Sequence, residues 1–154
     1  PFLALAQALA ARGTTMRLFY GGRRGADLYY ADAFARLGAT LILTTEDGSA
    51  GERGRVTGPL QRALAAHGTG PVTLYACGPT PMMRAVAELG AAHGRQTFVS
   101  LEPVMGCGMG GCYSCVVRVT RTQGATPTHL VRSCIDGPVF DASTLVWDTL
   151  AGGH

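Results

Sequence analysis

The sequence contains no lysine, so all 13 of its cationic side chains are arginines. A Walker A phosphate loop requires a lysine, and the absence of lysine excludes that loop. The arginines are scattered, and Arg23 and Arg24 are the only adjacent pair, so the sequence has no basic stripe typical of nucleic-acid binding. No apolar run approaches the ~20 residues that span a bilayer. We therefore expect neither a nucleic-acid partner nor a membrane span.

The 154 residues fall into two parts by pattern. Residues 1–101 alternate short apolar strands with helices of about ten residues, which predicts a parallel sheet with helices on both faces. Residues 102–154 break this rhythm with a glycine-rich run and short β-like runs, and they predict a small β-rich lobe. The chain begins at Pro1 directly in a helical pattern, so we expect that an upstream segment is missing.

The predicted elements define where a ligand would bind. The helices are predicted at 2–11, 27–37, 58–67 and 80–93, and the strands at 15–20, 39–45, 71–76, 96–101, 116–120 and 129–134. Ligands of parallel α/β sheets bind outside the carboxyl ends of the strands. That rule selects three loops rich in glycine or proline, at 21–24, 46–54 and 77–81, where the backbone can approach a ligand closely.

Four of the five cysteines form a pattern typical of a [2Fe–2S] cluster site. Cys107, Cys112 and Cys115 have the spacing C-x4-C-x2-C, and Cys134 follows after 18 intervening residues. The glycines around them allow the loop to wrap tightly and to direct N–H groups at the sulfurs. Structural zinc is the main alternative, although zinc sites usually consist of two short paired knuckles. Clustered thiols without a secretion signal indicate metal binding in a reducing cytoplasm.

Several stretches resemble the ferredoxin–NADP reductase superfamily. CGPTPMM (77–83) resembles the CGP motif of its nicotinamide domain. RLFYGGRR (17–24) is similar to the strand whose following loop meets the adenosine side of the cofactor. TTEDGSAGERGRVT (44–57) resembles a stretch found in one branch of the superfamily. The two stretches SLEPVMGCGMGGCYSCVVRV and SCIDGPVFDA closely resemble the electron-transfer subunits of type B dihydroorotate dehydrogenases, and the resemblance covers nearly all of the chain.

This resemblance implies a fold and a set of site residues. The fold would be a ferredoxin–NADP-reductase-like α/β domain over 1–101, lacking its first strand, and a [2Fe–2S] cluster-binding domain over 102–154. The cluster ligands would be Cys107, Cys112, Cys115 and Cys134. The residues that border the dinucleotide would be Gly21, Glu46, Asp47, Gly48, Ser49, Cys77, Gly78 and Pro79. Taken alone, Asp47 and Ser49 equally suit a plain turn, and a lone Cys77 suits a small buried apolar side chain.

The resemblance also implies a redox function with several cofactors. This subunit would carry electrons from an FMN-containing dihydroorotate-oxidising subunit through the [2Fe–2S] cluster and FAD to NAD+, within a heterotetramer of the pyrimidine pathway. NADH is favoured over NADPH by resemblance alone. FAD would be held mostly by an N-terminal barrel that this sequence lacks. No residue of this chain is expected to be catalytic, since the oxidising residue would belong to the partner. The gap before Cys134 is slightly long for the family, and a surface turn at 124–126 would absorb the difference.

Two other functions are open. One is the small subunit of a related flavin enzyme, such as NADH-dependent reduced-ferredoxin:NADP oxidoreductase. That family carries an aspartate in place of the first ligand, so Cys107 favours the dihydroorotate branch. The other is a zinc-stapled nucleotide-binding module without enzymatic activity, which metal analysis would distinguish.

Overall fold

A computed structural model describes residues 2–120 and 127–150, and the turn expected at 124–126 lies outside these residues. The chain divides into two compact units, residues 1–68 and 69–154. No helix in the described part of the chain is long and apolar enough to cross a bilayer.

The first unit is built on parallel strands. Its elements are α1 (Phe2–Ala11), β1 (Arg17–Gly22), a 3-10 turn (Gly25–Asp27), α2 (Ala31–Arg36), β2 (Thr40–Thr45), β3 (Glu52–Arg53) and α3 (Thr57–Ala66). The sheet order is β1-β2-β3, and both pairings are parallel. Gly21 pairs with Thr44 and Gly22 with Thr45, and both threonines are fully buried. The carboxyl ends of β1 and β2 therefore lie side by side.

The second unit contains two smaller sheets. Its elements are β4 (Thr73–Cys77), α4 (Thr80–Ala92), β5 (Gln96–Ser100), β6 (Val116–Thr120), β7 (Thr128–Arg132), α5 (Ser133–Asp136) and β8 (Val139–Asp141), with 3-10 turns at Ala142–Thr144 and Trp147–Thr149. β4 is parallel to β5, and β5 pairs with β8 in antiparallel fashion. β6 and β7 form a separate antiparallel pair.

Helix α4 packs on β5 through a small-residue contact. Met83, Val86, Ala87 and Gly90 are its buried positions, and their spacing of three or four residues places them on one face. A Cβ at Gly90 would collide with Thr97 Oγ1, so glycine permits the close approach of helix and strand. Val99 on β5 is fully buried. Burying such a side chain contributes about 1.5–3 kcal/mol to stability.

The structure confirms the α/β class and corrects several details. α1 and β6 have the predicted bounds, and β1 begins two residues later than predicted. α2 begins at Ala31 rather than at 27, because Tyr30 has a left-handed φ of 60° that interrupts the helix. The strand predicted at 129–134 ends at Arg132, and residues 133–136 form a helical turn. The strands that were predicted to form one parallel sheet belong to two separate sheets, β1-β2-β3 and β4-β5-β8, and β8 was not predicted.

The predicted domain boundary between residues 101 and 102 stays a prediction. In the second unit β8 pairs with β5, with Phe98 opposite Asp141 and Ser100 opposite Val139. A strand from the C-terminal part of the chain is thus hydrogen-bonded to a strand of the predicted dinucleotide-binding part. The first compact unit ends at residue 68.

Candidate cluster site and dinucleotide-binding loops

The β6–β7 pair brings the fourth cysteine to the other three. Val116 at the start of β6 lies opposite Arg132 at the end of β7, so the residues just outside the pair are also neighbours. Ser133 donates two hydrogen bonds to the Cys115 carbonyl oxygen, from its backbone N at 3.1 Å and from its hydroxyl at 2.9 Å. Cys115 Sγ and Cys134 Sγ are 3.2 Å apart as a result. The pairing of β6 with β7 therefore brings Cys134 next to Cys115, although 18 residues separate them in sequence.

The glycine-rich loop lies against the segment that carries Cys134. The Arg132 guanidinium donates a 2.9 Å hydrogen bond to the Gly110 carbonyl oxygen. Gly110 has a φ of +79°, and a Cβ there would lie 2.9 Å from Ile135 Cγ1. The loop and the distant segment are therefore in direct contact.

Backbone N–H groups of the loop point at a cysteine sulfur, as the sequence predicts. Met109 N and Gly111 N lie 3.4 and 3.3 Å from Cys107 Sγ, and both donate to it. Between Cys107 and Gly111 the chain turns through Gly108 and Gly110, whose φ angles of +65° and +79° suit glycine. Hydrogen bonds of this kind stabilise an electron-rich thiolate and tune a cluster's potential.

Three of the clustered thiols have shifted pKa values for identifiable reasons. The Ser114 side chain, followed by the Ser114 backbone and the Cys107 side chain, lowers the pKa of Cys112 from 9.0 to about 6. Hydrogen bonds from Cys134 lower the pKa of Cys115, which is only 2% exposed. The same interaction, together with burial, raises the pKa of Cys134. When two neighbouring thiols become thiolate ligands of a metal, both lose their protons, and the hydrogen bond between them is replaced by bonds to the metal.

The donor set fits a two-iron cluster. Cys115 and Cys134 are in direct contact, and the Ser114 side chain and backbone, followed by the Cys107 side chain, lower the pKa of Cys112. A [2Fe–2S] cluster takes two ligands on each iron, and thiolates are the soft ligands that such clusters prefer. Within residues 2–120 and 127–150, no three His, Cys, Asp or Glu side chains are grouped so that they could hold a metal ion.

In the first unit, hydrogen bonds join the two predicted dinucleotide loops to each other. Gly25 N donates to Ser49 Oγ at 2.8 Å. Ser49 in turn donates to Asp47 Oδ1 from its backbone N at 2.9 Å and from its hydroxyl at 2.6 Å, and these bonds lower the pKa of Asp47. Glu46 N donates to the carbonyl oxygen of Gly22 beside Gly21, and Gly48 turns the chain with a φ of +77°. Asp47 and Ser49 thus make turn contacts, and their role toward a dinucleotide stays a prediction.

In the second unit, Cys77, Gly78 and Pro79 link β4 to α4. Gly78 has a φ of +146°, and a Cβ there would lie 3.0 Å from Met82 Cε. The half-buried Cys77 thiol donates to Glu102 Oε1 at 3.4 Å. Burial raises the pKa of Cys77, and the hydrogen bond and charge of Glu102 raise it further. Burial and Glu102 therefore both favour the uncharged form of the Cys77 thiol.

Three side chains at these sites were not predicted from the sequence. Glu102 follows β5, which is the parallel neighbour of β4, so its position beside Cys77 could have been inferred from strand order. Ser114 lies within the cysteine motif and contacts Cys112. Arg132 reaches Gly110 and lies 5.5 Å from the centre of the Tyr113 ring. No sequence signal marks Arg132, because its partners are about 20 residues distant.

Two family models match this chain. The oxidoreductase NAD-binding domain matches residues 1–88, and the iron–sulfur cluster binding domain of dihydroorotate dehydrogenase B matches residues 102–146. The second match contains all four clustered cysteines. The boundary between the two matches lies within the second compact unit.

Curated relatives and a solved structure agree with these matches. The chain is 40% identical over 146 residues to the dihydroorotate dehydrogenase B (NAD(+)) electron transfer subunit of Geobacillus thermodenitrificans, covering 95% of this chain and 52% of the relative. It is 34% identical to the subunit of that name from Fusobacterium nucleatum, covering 93% and 52%. A solved NADH-dependent reduced ferredoxin-NADP oxidoreductase, studied for flavin-based electron bifurcation, superposes with a TM-score of 0.76 at 28% identity, covering 97% of this chain and 51% of that one. The chain spans about half the length of these proteins.

Proposed function

Because this chain belongs to the oxidoreductase NAD-binding domain family, we propose that it is the dinucleotide and cluster portion of an electron-transfer subunit of NAD-dependent dihydroorotate dehydrogenase. The observation that carries the proposal is the contact between two thiols from separate segments of the chain, Cys115 Sγ and Cys134 Sγ, which lie 3.2 Å apart. The match of residues 102–146 to the iron–sulfur domain of dihydroorotate dehydrogenase B supports it.

Each cofactor would be held by residues already described. The cluster would be held by Cys107, Cys112, Cys115 and Cys134. The dinucleotide would be bordered by Gly21, Glu46, Asp47, Gly48, Ser49, Cys77, Gly78 and Pro79. A flavin exchanges electrons with a two-electron hydride carrier and with a one-electron cluster, so FAD would connect the two. The Cys77 thiol, whose pKa is raised, would present an uncharged surface to the nicotinamide.

The partner would be the subunit that supplies electrons to this chain. An FMN-containing catalytic subunit would oxidise dihydroorotate to orotate, and the two kinds of subunit would form a heterotetramer. This chain would contribute no general base. The clustered free thiols support a reducing, cytoplasmic setting.

A second candidate has a specific observation in its favour. The solved structure that superposes on this chain is an NADH-dependent reduced ferredoxin-NADP oxidoreductase. In that case the partner would be a large flavoprotein instead of a dihydroorotate-oxidising subunit. Affinity purification of the full-length protein from its source under anaerobic conditions separates the two, because the purified complex either reduces NAD+ with dihydroorotate or does not.

Metal analysis tests the core of the proposal. The full-length protein, purified anaerobically, is expected to be brown and to contain about two iron and two acid-labile sulfide per chain. A colourless protein with about one equivalent of zinc would contradict electron transfer and favour a structural metal.

A further inference from the structure

The Ser114 hydroxyl lies between Gly106 and Cys112 and has a defined orientation. It accepts a 2.8 Å hydrogen bond from Gly106 N and lies 3.1 Å from Cys112 Sγ. A serine hydroxyl has one proton and two lone pairs. Because Gly106 N–H uses a lone pair, the proton of Ser114 remains available for the sulfur of Cys112.

The direction of this hydrogen bond is fixed once Cys112 binds a metal. The metal ligand is the thiolate, which has no proton to donate. Ser114 must then be the donor and Cys112 the acceptor, and the bond is charge-assisted. A neutral Cys112 thiol could either donate or accept this hydrogen bond, whereas a metal-bound thiolate can only accept it.

The local backbone holds the two side chains together. Tyr113, between Cys112 and Ser114, has a left-handed φ of 60°, which turns the chain, and its ring packs 5.5 Å from the Arg132 guanidinium. At Gly106 a Cβ would lie 3.1 Å from Cys112 Sγ and 3.2 Å from Ser114 Oγ. Glycine therefore leaves room for the hydroxyl–sulfur contact.

Ser114 differs from the other donors of the loop. Cys107 receives its two hydrogen bonds from the backbone N–H groups of Met109 and Gly111, which a side-chain substitution leaves in place. The donor of Ser114 is a side-chain hydroxyl, so a substitution can remove it without changing the backbone donors. The contribution of this one hydrogen bond to the site is therefore measurable.

We propose that Ser114 is a positioning residue that raises the reduction potential of the cluster by donating a hydrogen bond to Cys112. One-electron reduction adds negative charge to the iron–sulfur unit, and a donor at a ligand sulfur stabilises the reduced form more than the oxidised form. No bond is formed or broken and no proton leaves Ser114. The inference rests on the proposed function, because it requires that the four cysteines hold a redox cluster.

The test is a redox titration of the full-length protein followed by electron paramagnetic resonance. Ser114→Ala is expected to lower the one-electron equilibrium constant for reduction by about threefold to tenfold, which corresponds to a potential lower by about 28–59 mV. Ser114→Thr keeps the hydroxyl, so its reduction potential should lie close to that of the wild type. Ser143→Ala is the matched control, since its hydroxyl donates to Asp141 instead of to a cysteine, and its potential should equal that of the wild type.

Each outcome decides the proposal. Equal potentials in wild type and Ser114→Ala, with iron and sulfide at full content, would overturn the role of Ser114 and leave the proposed function intact. Loss of the cluster in Ser114→Ala alone would assign the hydroxyl to cluster retention and would also overturn the tuning role. Absence of iron and sulfide from the wild type would instead refute the proposed function itself.

Discussion

Cys115 Sγ and Cys134 Sγ lie 3.2 Å apart although 18 residues separate them in sequence. The antiparallel register of β6 and β7 creates this contact, with Val116 opposite Arg132. Two hydrogen bonds from Ser133 to the Cys115 carbonyl oxygen secure the same junction. The position of Cys134 in the proposed cluster site is therefore set by strand pairing as well as by the cysteine motif.

Loss of the fourth thiol should remove the cluster without unfolding the protein. Cys134→Ala is expected to abolish the visible charge-transfer bands, because one iron would lose a ligand that no other described thiol replaces. Far-UV circular dichroism should be nearly unchanged. Cys77→Ala is the control, since Cys77 lies at the end of β4 and donates to Glu102, and it should retain the bands. Full cluster content in Cys134→Ala would show that the ligand is misassigned.

Gly110 should tolerate substitution less well than the adjacent Gly111. At Gly110 the φ is +79° and a Cβ would press on Ile135, whereas a Cβ at Gly111 meets nothing within 4 Å. A left-handed backbone costs an alanine about 1–2 kcal/mol. Gly110→Ala is thus expected to lower the thermal midpoint and the iron content, and Gly111→Ala to leave both near wild type. Both are measured on anaerobically purified protein. Equal effects of the two substitutions would contradict the described loop geometry.

Asp141 should make the stability of the second unit depend on pH in the acid range. Its carboxylate accepts from Ser143 N at 2.9 Å and from the Ser143 hydroxyl at 2.6 Å, and these bonds lower its pKa below 3.8. A lowered folded-state pKa means that the stabilisation is fully present above pH 3.8 and is lost as the pH falls through the folded value. At pH 7, Asp141→Ala should cost about 1 kcal/mol as the loss of a cap.

Chemical denaturation at pH 7 and at pH 2–3 measures this difference. The stability gap between wild type and Asp141→Ala should narrow in acid. Asp148→Ala is a suitable comparison, because Asp148 is 84% exposed and pairs with Arg84 at the surface, so its loss should cost less. If the difference in the free energy of unfolding between wild type and Asp141→Ala stays constant down to pH 2, the charge of Asp141 contributes nothing to stability.

Local periodicity accounted for the elements that were predicted well. α1 has the predicted bounds because Phe2–Ala11 is continuous in apolar and helix-favouring residues. β6 has the predicted bounds because VVRVT alternates burial with exposure. The four proposed cluster ligands were likewise chosen from spacing alone, and that assignment stays a prediction. Each of these signals is contained within a short stretch of chain.

One missed feature depends on a local side-chain contact, and the others depend on contacts between distant residues. The strand predicted at 129–134 ends early because Asp136 Oδ2 accepts from Arg132 N at 2.9 Å, which starts the helical turn that carries Cys134. β8 has only three residues, too few for a periodic pattern, and its pairing with β5 is visible only in three dimensions. Glu102 was overlooked because its significance comes from the thiol at the end of the neighbouring strand.

The pairing of β8 with β5 limits how this chain can be cut. A fragment that begins after residue 101 would keep the cysteines but would leave β8 without its partner strand, and a fragment that ends there would uncover one edge of β5. Anyone wishing to graft the metal-binding lobe onto another protein should therefore begin the insert near Thr69, where the compact unit starts. The transplantable piece then includes β4, α4 and β5 together with the four thiols.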